Sequence, residues 1–313
     1  MAFLSIAVPP TFAILKLRST MNKIILVAGA TGNLGQRICR ELLKNNATVR
    51  AVVRAGSDAA KVEVLAKMGV EVVTVDMNNE QQLTEACAGV SCVVSALAGL
   101  HDVIVDTQLI LLKAAVEAGV PRFIPSDFSS DFTQMPRGEN RNFDLRKEFH
   151  EHLDSSTIKA TSIFNGAFAD ILRYNTPLYD VKNKTVAYYE DKSDWKIDFT
   201  TMDDTAAFTA HAALDDNTPR ILHIASCQVS PNDLSGLSEK SKGQRFDLVN
   251  MGTMEGFSAY NKMQRANHPE GEAELYPRWQ QSQYVYSMFL VQHPNLDNER
   301  YPNLKWEAIE AYI

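Results

Sequence analysis

The chain has 313 residues, 45% hydrophobic and 22% charged, with a formal net charge of −7. That describes a soluble globular protein holding one large α/β domain, or a nucleotide domain with a smaller companion. An acidic chain without a basic block excludes a nucleic-acid surface, and nothing in it reads as a membrane span of ~20 apolar residues. Of the four cysteines, none lies in CxxC spacing and three sit in apolar runs, which fits buried thiols in a reducing, cytoplasmic compartment. Residues 1–20 are apolar over 2–15, but Pro9 and Pro10 break the run, and Lys16 and Arg18 follow it, the reverse of a secretory signal. They are expected to be an extension outside the fold.

Residues 24–27 are four apolar residues in a row, three of them β-branched. That predicts a strand buried on both faces, in the middle of a parallel sheet. Gly29, Gly32 and Gly35 follow in GxxGxxG spacing, and 34–43 is an amphipathic run. Glycines allow a tight turn and close backbone approach, and the helix start behind them offers free N–H groups to a pyrophosphate. Three glycines alone are a weak sign. Between a strand and a helix they predict a dinucleotide-binding turn, with Thr31, Asn33 and Leu34 completing it.

A second strand, 48–53, ends at Arg54, with Ser57 and Lys61 close behind. Folds that prefer NAD place an acid here for the ribose 2′-hydroxyl. A guanidinium fork and a nearby ammonium suit a 2′-phosphate instead, so NADP is expected over NAD. Residues 58–68 read as a helix closed by Gly69, and 70–75 as a third strand running into Asp76. A short helix over 79–86 precedes a fourth strand, 92–97. A long helix over 102–118 ends at Gly119 and Pro121, and a fifth strand, 122–124, runs into Ser126 and Asp127.

Strands alternating with helices predict a doubly wound parallel sheet of Rossmann type, with ligands at the carboxyl ends of its strands. Those ends nominate the glycine turn, Arg54, Asp76, Ala96, Leu97 and Ser126. A charged helix over 142–153 and a sixth strand over 160–164, ending in Asn165, complete a first domain over 21–165. Residues 166–313 read as mainly a smaller α+β substrate-covering domain, with 195–228 returning to the Rossmann sheet. Within them, 185–189 and 195–199 look like two strands around a polar turn, Asp203, Asp204 and Thr205 like an N-cap, and 221–224 like another strand.

Several stretches taken together resemble the NmrA-like, isoflavone-reductase-like branch of the atypical short-chain dehydrogenases/reductases. They are GATGNLG at 29–35, VVRAGSDAAK at 52–61, VVTVDMNN at 72–79, AAVEAGVPRFIPSDF at 114–128, FNGAF at 164–168 and ERYPNLKWEAIEAYI at 299–313. The resemblance implies a Rossmann domain binding NADPH, a smaller domain over the nicotinamide, and Asn165 and Phe168 beside the nicotinamide pocket. Plant members of this branch reduce phenylpropanoid, isoflavonoid and aryl ether substrates; others are quinone reductases, and some only sense the cofactor.

Short-chain dehydrogenases carry YxxxK on the helix after the fifth strand, where the spacing puts both side chains on one face. Here that place reads Phe143-Asp144-Leu145-Arg146-Lys147, and a phenylalanine cannot give a proton. The one true YxxxK, Tyr188 to Lys192, lies in a strand-like segment and is rejected as the catalytic pair. The reductase branch manages with a lysine near this place, which makes Lys147 the expected catalytic residue, its pKa lowered by burial or by the nicotinamide. His150-Glu151-His152 reads as a solvated helix face, and no metal is expected. The expectation is therefore an NADPH-dependent reductase of a small aromatic, phenylpropanoid-like or quinone-like molecule, monomeric or homodimeric. The alternative is a non-catalytic NADP(H) sensor acting through a partner protein, which the missing tyrosine favours.

Overall fold

The computed structural model describes residues 22–313; the expected extension over 1–20 lies outside the described residues. The first half alternates β1 (Ile24–Ala28), α1 (Asn33–Lys44), β2 (Thr48–Arg54), α2 (Ala59–Lys67), β3 (Glu71–Val75), α3 (Glu80–Ala86) and β4 (Cys92–Ser95). It continues with α4 (Gln108–Glu117), β5 (Arg122–Ile124), α5 (Arg141–Asp154) and β6 (Lys159–Ala160). All six strands pair in parallel, in the order β3-β2-β1-β4-β5-β6. This is the 3-2-1-4-5-6 order of a Rossmann sheet, whose ligand crevice opens where the order reverses, between β1 and β4.

The β-branched run makes the central strand because it has no polar side to show. Ile25, Leu26 and Val27 are fully buried, each worth about 1.5–3 kcal/mol of transfer free energy. Alternate residues feed opposite faces of the sheet. Ile25, Val27, Val49, Ala51 and Val94 pack on one side with Ile38 and Leu42 of α1. Leu26, Ala28, Val52, Val93 and Phe123 pack on the other with Leu83 of α3, Leu111 of α4 and Phe149 of α5. The helix expected over 102–118 forms, but its first six residues, Asp102–Thr107, are wound as a π turn.

The second half holds β7 (Ser162–Phe164), β8 (Ala167–Phe168), β9 (Tyr179–Asp180), β10 (Thr185–Tyr188), β11 (Ile197–Thr200), α6 (Met202–Leu214) and β12 (Ile221–His223). It ends with β13 (Cys227–Val229), α7 (Pro231–Lys242), β14 (Asp247–Asn250), α8 (Met254–Asn267) and α9 (Arg278–Met288). These strands form three small sheets, β14-β10-β9, β13-β11-β8 and β12-β7. A second core of Tyr179, Val186, Phe199, Phe246, Phe257 and Phe289 fills this half. Among the described residues no helix is long and apolar enough to cross a membrane.

Four expectations need correction. The sixth strand is broken at Thr161, so only Lys159–Ala160 joins the large sheet, while Ser162–Phe164 pairs with β12. The strands near 185 and 197 are not a hairpin, because β10 and β11 belong to different sheets. Residues 195–228 do not rejoin the six-stranded sheet. What returns is α6, whose Ala206, Phe208 and Ala210 enter the core that α1 lines. The cap of α6 is Thr201, whose side chain accepts from the Asp204 N–H, with Asp203 and Asp204 inside the first turn.

Candidate active site

The glycine turn lies at the reversal point of the sheet. Gly29 follows β1 with φ +80, and a Cβ there would lie 2.4 Å from the Ala96 carbonyl oxygen after β4. At Gly35 a Cβ would lie 2.2 Å from the Gly29 oxygen, so helix α1 presses against the turn only because Gly35 lacks a side chain. Backbone cannot yield as a flexible side chain does. Gly29→Ala is accordingly expected to cost about 1–3 kcal/mol, read as a lower denaturant midpoint, with the dinucleotide site distorted as well.

Gly32 is the N-cap of α1, and no side chain caps it. The first helical bond runs from the Gln36 N–H to the Gly32 oxygen. The N–H groups of Asn33, Leu34 and Gly35 therefore have no acceptor within the helix and lie at its positive end, as an anion site requires. Thr31 is half-buried in the turn. Arg54 and Lys61 stand exposed beyond the end of β2, and neither has an ion-pair partner among the described residues. Asp76 is exposed and turned inward to its own loop, its Oδ1 accepting from the Asn78 N–H at 2.9 Å.

The ends of β4 and β5 are tied together. The Ser126 hydroxyl donates to the Leu97 carbonyl at 2.6 Å, and the Ser126 N–H donates to Gln108 Oε1 at 3.0 Å. Gln108 is fully buried and anchors its own amide on the Ile104 carbonyl. Sequence reasoning passes over it because a lone glutamine in an apolar helix carries no motif. Asn165, directly after β7, is fully buried, yet its side-chain nitrogen and oxygen both lack hydrogen-bond partners. Phe168 is half-buried against the core beside α1.

Helix α5 presents its basic residues in different directions. Arg146 reaches the strand ends, its Nε donating to the Ser126 carbonyl at 2.9 Å and its Nη1 to the Asn142 carbonyl at 2.9 Å. Lys147 instead donates to the Met135 carbonyl at 2.8 Å and lies 3.5 Å from Asp144. Burial lowers its pKa below the ordinary 10.5, with Asp144 opposing the shift. The lowered pKa matches expectation, but the ammonium is spent on the loop after β5 rather than joined to the Ser126 group. Successive helical residues point about 100° apart, and that turn separates the two side chains.

Phe143 is buried, with its ring edge-on to Tyr284 of α9 at 5.3 Å. The Tyr284 oxygen accepts from Asn142 Nδ2 at 3.0 Å, leaving its own proton free to donate. Burial pushes this phenol's pKa up, and the charge of Arg146 pulls it down. Tyr188 lies in β10, and Lys192 donates to the Phe289 carbonyl just past α9. His150 corrects another expectation. It is buried, not solvated, and its Nε2 lies 2.7 Å from Asp127 Oδ2. Burial pushes the Cys39, Cys87, Cys92 and Cys227 thiols up to between about 11 and 12, so none is a ready nucleophile.

An uncapped helix start behind a glycine turn, at the reversal point of a 3-2-1-4-5-6 sheet, defines a dinucleotide-binding α/β protein. A model of the NmrA-like family matches residues 21–268, and the chain belongs to that family. Pinoresinol reductase 1 of Arabidopsis thaliana is 28% identical, over 92% of this chain and 95% of its own length. The solved structure of AtPrR2 with NADP+ and (+)pinoresinol is similar at a TM-score of 0.76 and 26% identity, covering 93% of this chain and 97% of that one. A quinone oxidoreductase of Escherichia coli shares the fold, at a TM-score of 0.68 and 21% identity over 92% of this chain and 98% of that one.

Proposed function

We propose that this chain is an NADPH-dependent reductase of a small aromatic molecule, phenylpropanoid-like or quinone-like, acting at the carboxyl ends of β1, β4, β5 and β7. The observation that carries the proposal is the uncapped start of α1 behind the glycine turn, at the reversal point of the parallel sheet. The glycine turn and the open start of α1 offer the matching cradle for a pyrophosphate, and the exposed Arg54 and Lys61 suit a 2′-phosphate. The residues present therefore fit NADPH.

When bound, the reduced nicotinamide supplies a hydride. The chain's own residues supply position and charge. Arg146, fixed on the Ser126 carbonyl, places a permanent positive charge where the acceptor oxygen gains negative charge; a guanidinium does not give up a proton in a protein. Tyr284, its oxygen already accepting from Asn142, holds the free phenolic proton that the reduced oxygen takes up. Tyr284 thus takes the proton-donor role expected of Lys147, and Arg146 supplies the charge. It also answers the loss of tyrosine at Phe143, because α9 brings a hydroxyl against that ring. Relatives named as reductases over nearly their full length support the enzyme over the sensor.

Acceptor-dependent oxidation of NADPH by the purified chain, screened across quinones and phenylpropanoid ethers, tests the proposal. Cofactor choice gives a sharper check. Arg54→Asp is expected to weaken NADPH binding by at least about tenfold, or about 1.4 kcal/mol, and to improve NADH binding, both measured as Kd by fluorescence titration. An unchanged NADPH Kd places the 2′-phosphate elsewhere.

A further inference from the structure

A second group of polar side chains gathers from three distant parts of the chain. Asp131 lies in the loop after β5 and is 1% exposed, His223 ends β12, and His293 follows α9 and is 6% exposed. Asp131 Oδ2 accepts from His223 Nε2 at 2.9 Å and from Gln134 Nε2 at 2.7 Å. Its Oδ1 accepts from the Thr133 N–H and hydroxyl at 2.9 and 2.5 Å. The imidazoles of His223 and His293 are stacked, with centroids 4.0 Å apart. One donor atom from each of the three residues lies within 4.8 Å of the others.

One ring nitrogen of this group lacks a hydrogen-bond partner. Asp198 Oδ2 lies 2.6 Å from His293 Nδ1, and Asp198 Oδ1 is held by Gln228 Nε2 at 2.7 Å. A carboxylate on Nδ1 fixes a proton there, so in the neutral imidazole the lone pair lies on Nε2. That Nε2 is buried without a hydrogen-bond partner and faces Asp131 Oδ2 at 4.0 Å. In that form two acceptors confront each other across a short gap, which a cation held by both would fill.

We propose that Asp131, His223 and His293 form a binding site for a divalent metal ion of the zinc class, with Asp198 and Gln228 orienting His293 from behind. Two imidazoles and one carboxylate suit zinc, cobalt or nickel, whereas magnesium and calcium want all-oxygen shells. Ligand bonds of about 2.0–2.2 Å set neighbouring ligand atoms roughly 3.3 Å apart, so the donors close in by about 1.5 Å at most. His223 moves its proton to Nδ1 and turns its Nε2 lone pair to the ion. His223 is partly exposed and gives the ion its way in. The bound ion joins the loop after β5, the end of β12 and the segment beyond α9, and so raises thermal stability without entering the reductase reading.

Zinc titration of the chelator-stripped full chain, in competition with a chromogenic chelator, tests the site. One equivalent is expected to bind and to raise Tm. His293→Ala is expected to weaken zinc at least about tenfold, and Asp198→Asn about 10–100-fold. His101→Ala, at an exposed histidine beside Asp106 and Glu148, is expected to leave zinc binding unchanged. Cobalt loading of the unmutated chain reads the ligand set without relying on a variant's folding, through visible ligand-field bands of a low-coordinate nitrogen and oxygen site. No saturable binding by the unmutated chain, bands of a six-coordinate hydrated ion, or full binding by folded His293→Ala would overturn the proposal.

Discussion

Arg146→Ala is expected to lower kcat by about 10²–10³-fold, the usual cost of losing a fixed charge or donor at a developing oxyanion. NADPH affinity should be little changed, since the group meets charge that develops during the reaction. Tyr284→Phe is expected to cost about 10²–10⁴-fold if its phenol is the proton source, with the ring still packed on Phe143. Lys147→Ala should leave kcat within a few-fold, because that ammonium is bound to the Met135 carbonyl. Steady-state rates and NADPH Kd values for the three variants decide the matter. A dead Lys147→Ala beside a working Arg146→Ala would return the chemistry to Lys147.

The second large effect is structural. Asp127 is 1% exposed, next to Ser126, and its Oδ2 lies 2.7 Å from His150 Nε2 and accepts from the Ser162 hydroxyl at 2.6 Å. Ser162 in turn accepts from Arg220 Nη1 at 2.6 Å, and Arg220 pairs with Asp154. Removing one member of a buried ionic network costs about 3–5 kcal/mol, so Asp127→Ala should unfold at a markedly lower denaturant concentration. Burial pushes the Asp127 carboxyl up, but the imidazole of His150 and the Ser162 hydroxyl outweigh it and hold the pKa below the ordinary 3.8. A depressed carboxyl pKa stabilises the fold fully above the unfolded value and ceases to as pH falls through the folded one. The unmutated protein should therefore lose stability below pH 3.8 more steeply than Asp127→Ala, as equilibrium unfolding at several pH values would show.

What was legible in the sequence was local. The run at 24–27 and the three glycines define strand, turn and helix by short-range rules, and every strand end nominated in the first half lies along one edge of the sheet. Long-range pairing was not legible. Nothing in the chemistry of 160–164 shows that Thr161 breaks the strand, because that break depends on β12 arriving from residue 221 to pair with Ser162. The direction of Lys147 was not legible either, since Met135, whose carbonyl takes its ammonium, belongs to an irregular loop. His150 and Asp127 lie 23 residues apart and meet only when α5 packs on β5. Gln108, Tyr284 and Arg146 draw their roles from neighbours that no motif spells out.

Reductase activity is tested most directly by a single-turnover experiment with the chain pre-loaded with NADPH and mixed with one acceptor at a time from the quinone and phenylpropanoid ether panel. Acceptor-dependent loss of nicotinamide absorbance is expected, with one reduced product per NADPH consumed and slow turnover in Arg146→Ala. Tight NADPH binding with no oxidation by any acceptor would contradict it and favour a sensor on the same scaffold.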